Sequence, residues 1–196
     1  YRQFNQINFE IFGSNDFMAD LDLINIGNKI LKSLLPSAKL ILNINTLGKK
    51  NNLSEYKKHL TKYFSDKKEK LSNESKEKIL SNPIRILDSK NHNDIIISNN
   101  APTIQEFISK EEKDHFDEIK KGLDFCKIKY EENHKLVRGL DYYCSTVFEF
   151  KTSELGSQDT LLGGGRYDGL IGVLGGPDLP GVGWAAGIER ISMLMN

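Results

Sequence analysis

Cysteine is scarce: Cys126 and Cys144 are the only two, far apart and with neither CxxC nor Cys/His spacing. That excludes a disulfide framework and a structural zinc site, suits a reducing compartment, and leaves both as ordinary thiols. Net charge is missing too, 27 Lys and Arg offsetting 27 Asp and Glu, so no global field identifies a partner. The balance is uneven, since residues 46–129 hold 18 Lys or Arg against 14 Asp or Glu; this mildly basic middle is either a solvated lysine face or a surface for phosphate backbones. No apolar run approaches the ~20 residues of a membrane span and no signal-peptide pattern stands at the start, so a cytoplasmic protein with no membrane partner is expected. The opening "YRQFNQINFEIFG" has no Met and reads as strand from its first residues, so the chain is expected to be a piece of a longer polypeptide.

What is present, 196 residues with 38% apolar content, is enough for the core of one ordinary domain with a small inserted module. Residues 2–12 alternate with period two, placing Ile7, Phe9 and Ile11 on one face and Phe4, Gln6, Asn8 and Glu10 on the other, with Gln6 and Glu10 ~13 Å apart. That polar row either faces water or lines a pocket. Gly13 and "SND" stop the strand and start a helix that runs to Pro36. "AKLILNIN" is a second strand. Residues 49–82 are rich in Lys, Asn and Ser with short helical patterns, and a charged helix follows around 109–125. Strand texture returns from 128, and 11 of the 16 glycines lie between Gly156 and Gly187, where the backbone must approach something closely. The order predicts an α+β fold, a mostly antiparallel sheet flanked by helices, divided as 1–45, an inserted helical module at 46–127, and 128–196.

Arginine is rare, five against 22 lysines, and Arg2, Arg138, Arg166 and Arg190 stand within or beside the Gly/Tyr-rich motifs; Arg85 is the exception. A planar guanidinium holds a carboxylate or phosphate in two directions, as lysine cannot. In "LVRGLDYYCSTVFEF", Gly139 permits a sharp turn and Asp141 can fix that turn or hold Arg138, aiming it at a ligand. Tyr142 and Tyr143 point to opposite faces if they begin a strand. The same residues also suit a β-turn with an Arg–Asp pair and two half-buried tyrosines. "GGGRYDGL" fits neither the dinucleotide nor the Walker pattern. "GVGWAAGIER" reads as a strand entering a helix, with Arg190 about a turn inside.

Taken in order, "YRQFNQINFEIFG", "LVRGLDYY…TVFEF", "GGGRYDGL" and "GVGWAAGIERI" closely resemble the catalytic domain of the histidyl-tRNA synthetases, class II aminoacyl-tRNA synthetases, over essentially the whole chain. "NPIRILDSK", residues 82–90, is similar to the insert of the bacterial-type members. The resemblance implies a ligase that joins histidine to the α-phosphate of ATP and passes the histidyl group to tRNA(His), with Mg2+ accompanying ATP, as a cytoplasmic homodimer. It implies that Arg138 is catalytic and also contacts histidine, that Gln6, Glu10, Tyr142 and Tyr143 bind histidine, and that Phe4 stacks on adenine and Arg190 holds the γ-phosphate. Lys57, Lys58 and Lys62 are implied to touch the tRNA acceptor region. No metal ligand is assigned. Motif 1, the FRxE half of motif 2 and the anticodon-binding domain of the family have no counterpart in these 196 residues, so this chain alone is expected not to activate histidine. The alternative is the non-catalytic regulatory subunit of ATP phosphoribosyltransferase, which shares similar motifs; the long insert and the Glu189–Arg190 ending argue for the synthetase.

Overall fold

The computed structural model describes residues 3–156 and 159–195, so Arg2 lies outside the described residues. Apolar alternation yields the strands β1 (Gln6–Phe12), β2 (Leu40–Thr46), β3 (Tyr130–Glu132), β4 (Cys144–Thr152), β5 (Thr160–Arg166) and β6 (Gly181–Gly187). They form one six-stranded sheet in the order β1-β6-β5-β4-β2-β3. Among the described residues every pairing is antiparallel except β2 with β3. The α+β expectation holds. The parallel pair makes the sheet mixed, because the long helical excursion between β2 and β3 returns the chain in its original direction.

The helices are α1 (Phe17–Leu34), α2 (Lys50–Ser65), α3 (Asn73–Ser81), α4 (His92–Ser98), α5 (Lys110–Phe125), α6 (Leu170–Val173) and α7 (Ile188–Ser192), with a 3-10 turn at Pro83–Ile86. The Asp16 carboxylate starts α1 by accepting from the Met18 N–H at 2.8 Å. The helix stops ahead of Pro36, which has no N–H to continue it.

Register divides the sheet into two unlike faces. Glu10 lies opposite Gly183, which lies opposite Gly165; Asn8, Ala185, Gly163, Glu149 and Asn43 align the same way. These positions share one face, almost bare of side chains in its middle. The alternate positions, including Phe9, Trp184, Phe148, Phe150 and Leu42, make the other face, which packs on α1 and α5 as the main core. Trp184 is its keystone: it stacks on Phe9 with ring centroids 5.0 Å apart and donates Nε1–H to Leu23 O at 2.9 Å. Each fully buried side chain of this kind contributes roughly 1.5–3 kcal/mol.

A second core lies over the glycine-bearing face. Leu53, Tyr56, Leu60 and Phe64, three and four residues apart on α2, join Ile79, Ile84, Ile86 and Ile97 and close on Val147 of β4. The buried Asp94 ties these helices together by accepting from Ser72 N at 2.8 Å and from the hydroxyls of Ser72, Ser75 and Ser89, each at 2.7 Å. Since Val147 belongs to the glycine-bearing face, α2–α4 cover its β4 side and leave the β5, β6 and β1 side open. Although α5 falls within 46–127, Phe116, Ile119 and Leu123 on it belong to the first core, because its apolar stripe packs on α1. Helices α2–α4 therefore build the added module, and α5 is a layer of the sheet domain.

Candidate active site

The open side of that face is a cavity of about 710 Å³ lined by Phe4, Gln6, Arg138, Gly163, Ala185 and Arg190, among others. Phe4 is 68% exposed, its ring standing free at the cavity edge. Arg190, in the first turn of α7, donates Nη1–H to Thr160 O at 2.6 Å. The strand-to-helix passage from β6 into α7 is braced by Glu189, whose carboxylate accepts from Asn5 N at 2.9 Å and from Asn5 Nδ2 at 2.8 Å. Those hydrogen bonds hold its carboxyl below the usual carboxylate range.

Arg138 lies flat over Gly163. A Cβ there would stand 2.5 Å from its Nη1, so the glycine is what admits the guanidinium. Nη1 is 3.7 Å from Glu149 Oε2, and Lys151 Nζ binds Glu149 Oε1 at 2.7 Å while the Thr160 hydroxyl donates to Oε2 at 3.1 Å. Arg138 Nε is buried and, among the described residues, has no hydrogen-bond partner. Asp141 does not hold this guanidinium, as the sequence allowed; it pairs with Asn82 and Lys57.

Glu10, Tyr142 and Tyr143 do not line the cavity but group on the next glycines of the same face. A Cβ at Gly183 would overlap the Glu10 carboxylate, and one at Gly165 would stand 3.1 Å from Tyr143 Cδ1. Tyr142 and Tyr143 precede β4 rather than begin it, so their rings are not on opposite faces; they pack together with centroids 4.7 Å apart. Burial and then the neighbouring Tyr142 push the Tyr143 hydroxyl up to about 12, so it is neutral at physiological pH. Arg138 stands 5.8 Å from the centroid of the Tyr143 ring, joining the two groups.

Two further residues belong here that the sequence reading missed. Tyr167 donates its hydroxyl to Glu10 Oε2 and meets Tyr142 and Tyr143 edge-on at 5.9 and 6.3 Å. Burial and that bond raise its pKa, keeping it a donor. The signal was available: period two along "GGGRY" places Tyr167 on the face of Gly163 and Gly165 and Arg166 on the other. Glu149 is the second, a carboxylate only 6% exposed beneath Arg138. Arg166, grouped with the site arginines by its motif, lies on the core side instead, 2% exposed and paired with Asp20 of α1.

A glycine floor with a fixed guanidinium at one end and a carboxylate among tyrosine hydroxyls at the other suits a ligand with an anionic end and a ring that both donates and accepts hydrogen bonds. Among the described residues no group of three or more His, Cys, Asp or Glu is placed to hold a metal. No helix there is long and apolar enough to cross a membrane.

A family model described as Histidyl-tRNA synthetase matches residues 1–191. A histidine–tRNA ligase of Ehrlichia ruminantium is 48% identical over 195 residues, covering 100% of this chain and 47% of that relative. Among solved structures, the apo histidyl-tRNA synthetase of S. aureus is similar with a TM-score of 0.76 and 33% identity, covering 100% of this chain and 47% of that one. A Bacillus halodurans protein described as an ATP phosphoribosyltransferase regulatory subunit/histidyl-tRNA synthetase shares the fold, with a TM-score of 0.62 at 18% identity, covering 98% of this chain and 54% of that one. The chain spans about half the length of the curated relatives it matches.

Proposed function

The chain belongs to the histidyl-tRNA synthetase family, and from that membership we propose that it forms the substrate-activating part of a histidine–tRNA ligase. The carboxylate of histidine attacks the α-phosphate of ATP, pyrophosphate leaves, and the histidyl group passes to the 3′ end of tRNA(His). Attack of one anion on another requires positive charge fixed where negative charge accumulates. Arg138 supplies it. The single observation that carries this reading is that Arg138, seated on Gly163, lines one cavity with Phe4 and Arg190.

In this reading Phe4 stacks on adenine, Arg190 holds the γ-phosphate and Gln6 contacts the amino-acid backbone. Glu10 accepts from one imidazole nitrogen, and the hydroxyl of Tyr142 or Tyr143 serves the other. Tyr167 fixes the Glu10 carboxylate from the side. A pocket of paired polar groups penalises other amino acids by leaving those groups unsatisfied, by up to ~10⁴-fold in comparable sites. Magnesium enters as part of the nucleotide substrate. The oxygens of Glu149 are shared with Lys151 and Arg138, and this suits an ion carried mainly by phosphates and water with at most one carboxylate from this chain. We also propose a cytoplasmic homodimer, with the lysines of α2 on the tRNA acceptor region; Lys57 there has Asp141 at 4.0 Å.

The test is histidine-dependent exchange of pyrophosphate into ATP by the full-length gene product. Exchange with histidine and with no other amino acid is the expected result. Stimulation of an ATP phosphoribosyltransferase by histidine, without exchange, would establish the regulatory alternative instead. Support for the ligase comes from the 48% identity to a ligase over the whole chain, whereas the likeness to the regulatory description extends to the fold.

Gly183→Ala separates the histidine end from the nucleotide end. The new methyl group displaces a flexible exposed side chain, Glu10, rather than backbone, so the sheet tolerates it. The KM for histidine is expected to rise at least about tenfold, in line with about 1.5–3 kcal/mol for a hydrogen bond to a charged group. The KM for ATP should stay within about twofold. Equal shifts in both constants would refute the assignment of Glu10 to histidine.

A further inference from the structure

The turn that carries Arg138 is held by the added module as much as by the sheet. Leu136 and Val137, immediately before it, are 4% and 6% exposed and are buried in the second core with Ile84 and Ile86. The Leu136 carbonyl accepts from Asn45 Nδ2 at 3.0 Å, so this end is pinned to β2 as well. On the other side of Arg138, Asp141 accepts from Asn82 Nδ2 at 2.7 Å and has Lys57 Nζ at 4.0 Å. Gly139 lies between, and its φ is not in the left-handed range. Arg85 lies against this glycine, its Nη1 3.2 Å from where a Cβ would stand. The same stretch continues to Asp88, whose carboxyl is pushed up by desolvation and by the charge of Glu149, the partner of Arg138.

We propose that residues 82–88 of the added module are a positioning element for Arg138: apolar burial fixes the chain ahead of it, Arg85 seats against Gly139, and Asn82 anchors Asp141 behind it. This rests on the ligase reading above. A long side chain is aimed by the backbone beneath it, and a displacement of about 1 Å at a reacting centre costs up to ~10²-fold in rate. Neither Asn82 nor Asp141 is among the residues that line the main cavity, so they act through the turn.

The experiment uses the full-length gene product. Asn82→Ala and Asp141→Ala are each expected to lower kcat for histidine-dependent pyrophosphate exchange by about tenfold, with both KM values within about twofold and the double variant no worse than either single one. Exchanging donor and acceptor, as Asn82→Asp with Asp141→Asn, restores the hydrogen bond and should recover most of the rate. Thermal unfolding is followed in parallel. If a single variant fails to fold, the exchanged pair against Asp141→Asn alone supplies the same comparison. Unchanged kcat in the single variants, additive losses, or an exchanged pair as slow as the single variants would each overturn the proposal. Absence of exchange in the unaltered protein would overturn the ligase reading and this one with it.

Discussion

Arg138→Ala is expected to lower kcat for histidine-dependent pyrophosphate exchange by about 10²- to 10³-fold, the usual cost of removing one preorganised charge-stabilising donor. Its melting temperature should move by no more than about 2 °C, as for a substitution outside the main sources of large destabilisation. The second half of this expectation is the informative one. Removing one partner of a buried ion pair ordinarily strands a charge, but here Glu149 keeps Lys151 at 2.7 Å and the Thr160 hydroxyl at 3.1 Å. The loss therefore falls on the reaction and not on the fold. Arg138→Lys should recover less than about a tenth of the rate, because one ammonium cannot reproduce a fork that reaches Glu149 with one nitrogen and the cavity with another. A loss smaller than tenfold in Arg138→Ala would remove this guanidinium from the chemistry.

Much of this arrangement was legible in the chain. Alternation gave β1 and its polar row; "SND" gave the start of α1, now seen as the Asp16 cap; the motifs gave Arg138, Arg190 and the tyrosine pair. What escaped was of two kinds. Arg85 looked unconnected to the motifs because 53 positions separate it from Arg138, and only the folding of the added module brings it against Gly139. Asp141 reads in the sequence as fixing its own turn or holding Arg138, whereas its partners Asn82 and Lys57 arrive from remote segments. The second kind is a question of face. Arg166 and Tyr167 are adjacent, yet the pleat sends one to the core and the other to Glu10, and a motif read as a block cannot separate them.

The second large effect concerns stability. Asp20→Ala should destabilise the protein by about 3 kcal/mol, the low end for a broken buried pair, because it removes the fully buried counter-charge of Arg166 and leaves the more distant, partly exposed Asp168 as its remaining carboxylate. For a chain of this size that is a fall in melting temperature of about 10 °C. Asp20 is fully buried; without it Arg166 keeps Ser14 O at 2.8 Å and one carboxylate, the partly exposed Asp168, at 3.4 Å. Replacing both, as Asp20→Leu with Arg166→Met, should recover most of the loss, since the cost lies in a buried charge left incompletely compensated and not in a missing attraction. The pH dependence has a defined sign. Burial pushes the Asp20 carboxyl up, but the neighbouring His115 and Arg166 outweigh it and leave its pKa below the usual value. Its contribution is accordingly complete above about pH 4, the unfolded value, and is lost as the pH falls through the lower folded value. Melting temperatures of the single and double variants between pH 3 and pH 7 decide the matter; a double variant no more stable than Asp20→Ala would refute the account.

Glu10 lies against Gly183 of β6 and Tyr143 against Gly165 of β5, and these two glycines are paired in register. The gap between the carboxylate and the ring is therefore gauged by the spacing of two hydrogen-bonded strands, about 4.8 Å, rather than by how neighbouring side chains happen to pack. Under the proposed function, the width of the amino-acid site is a property of the backbone ladder, so substitutions that leave the ladder intact alter which groups line the site without altering its breadth.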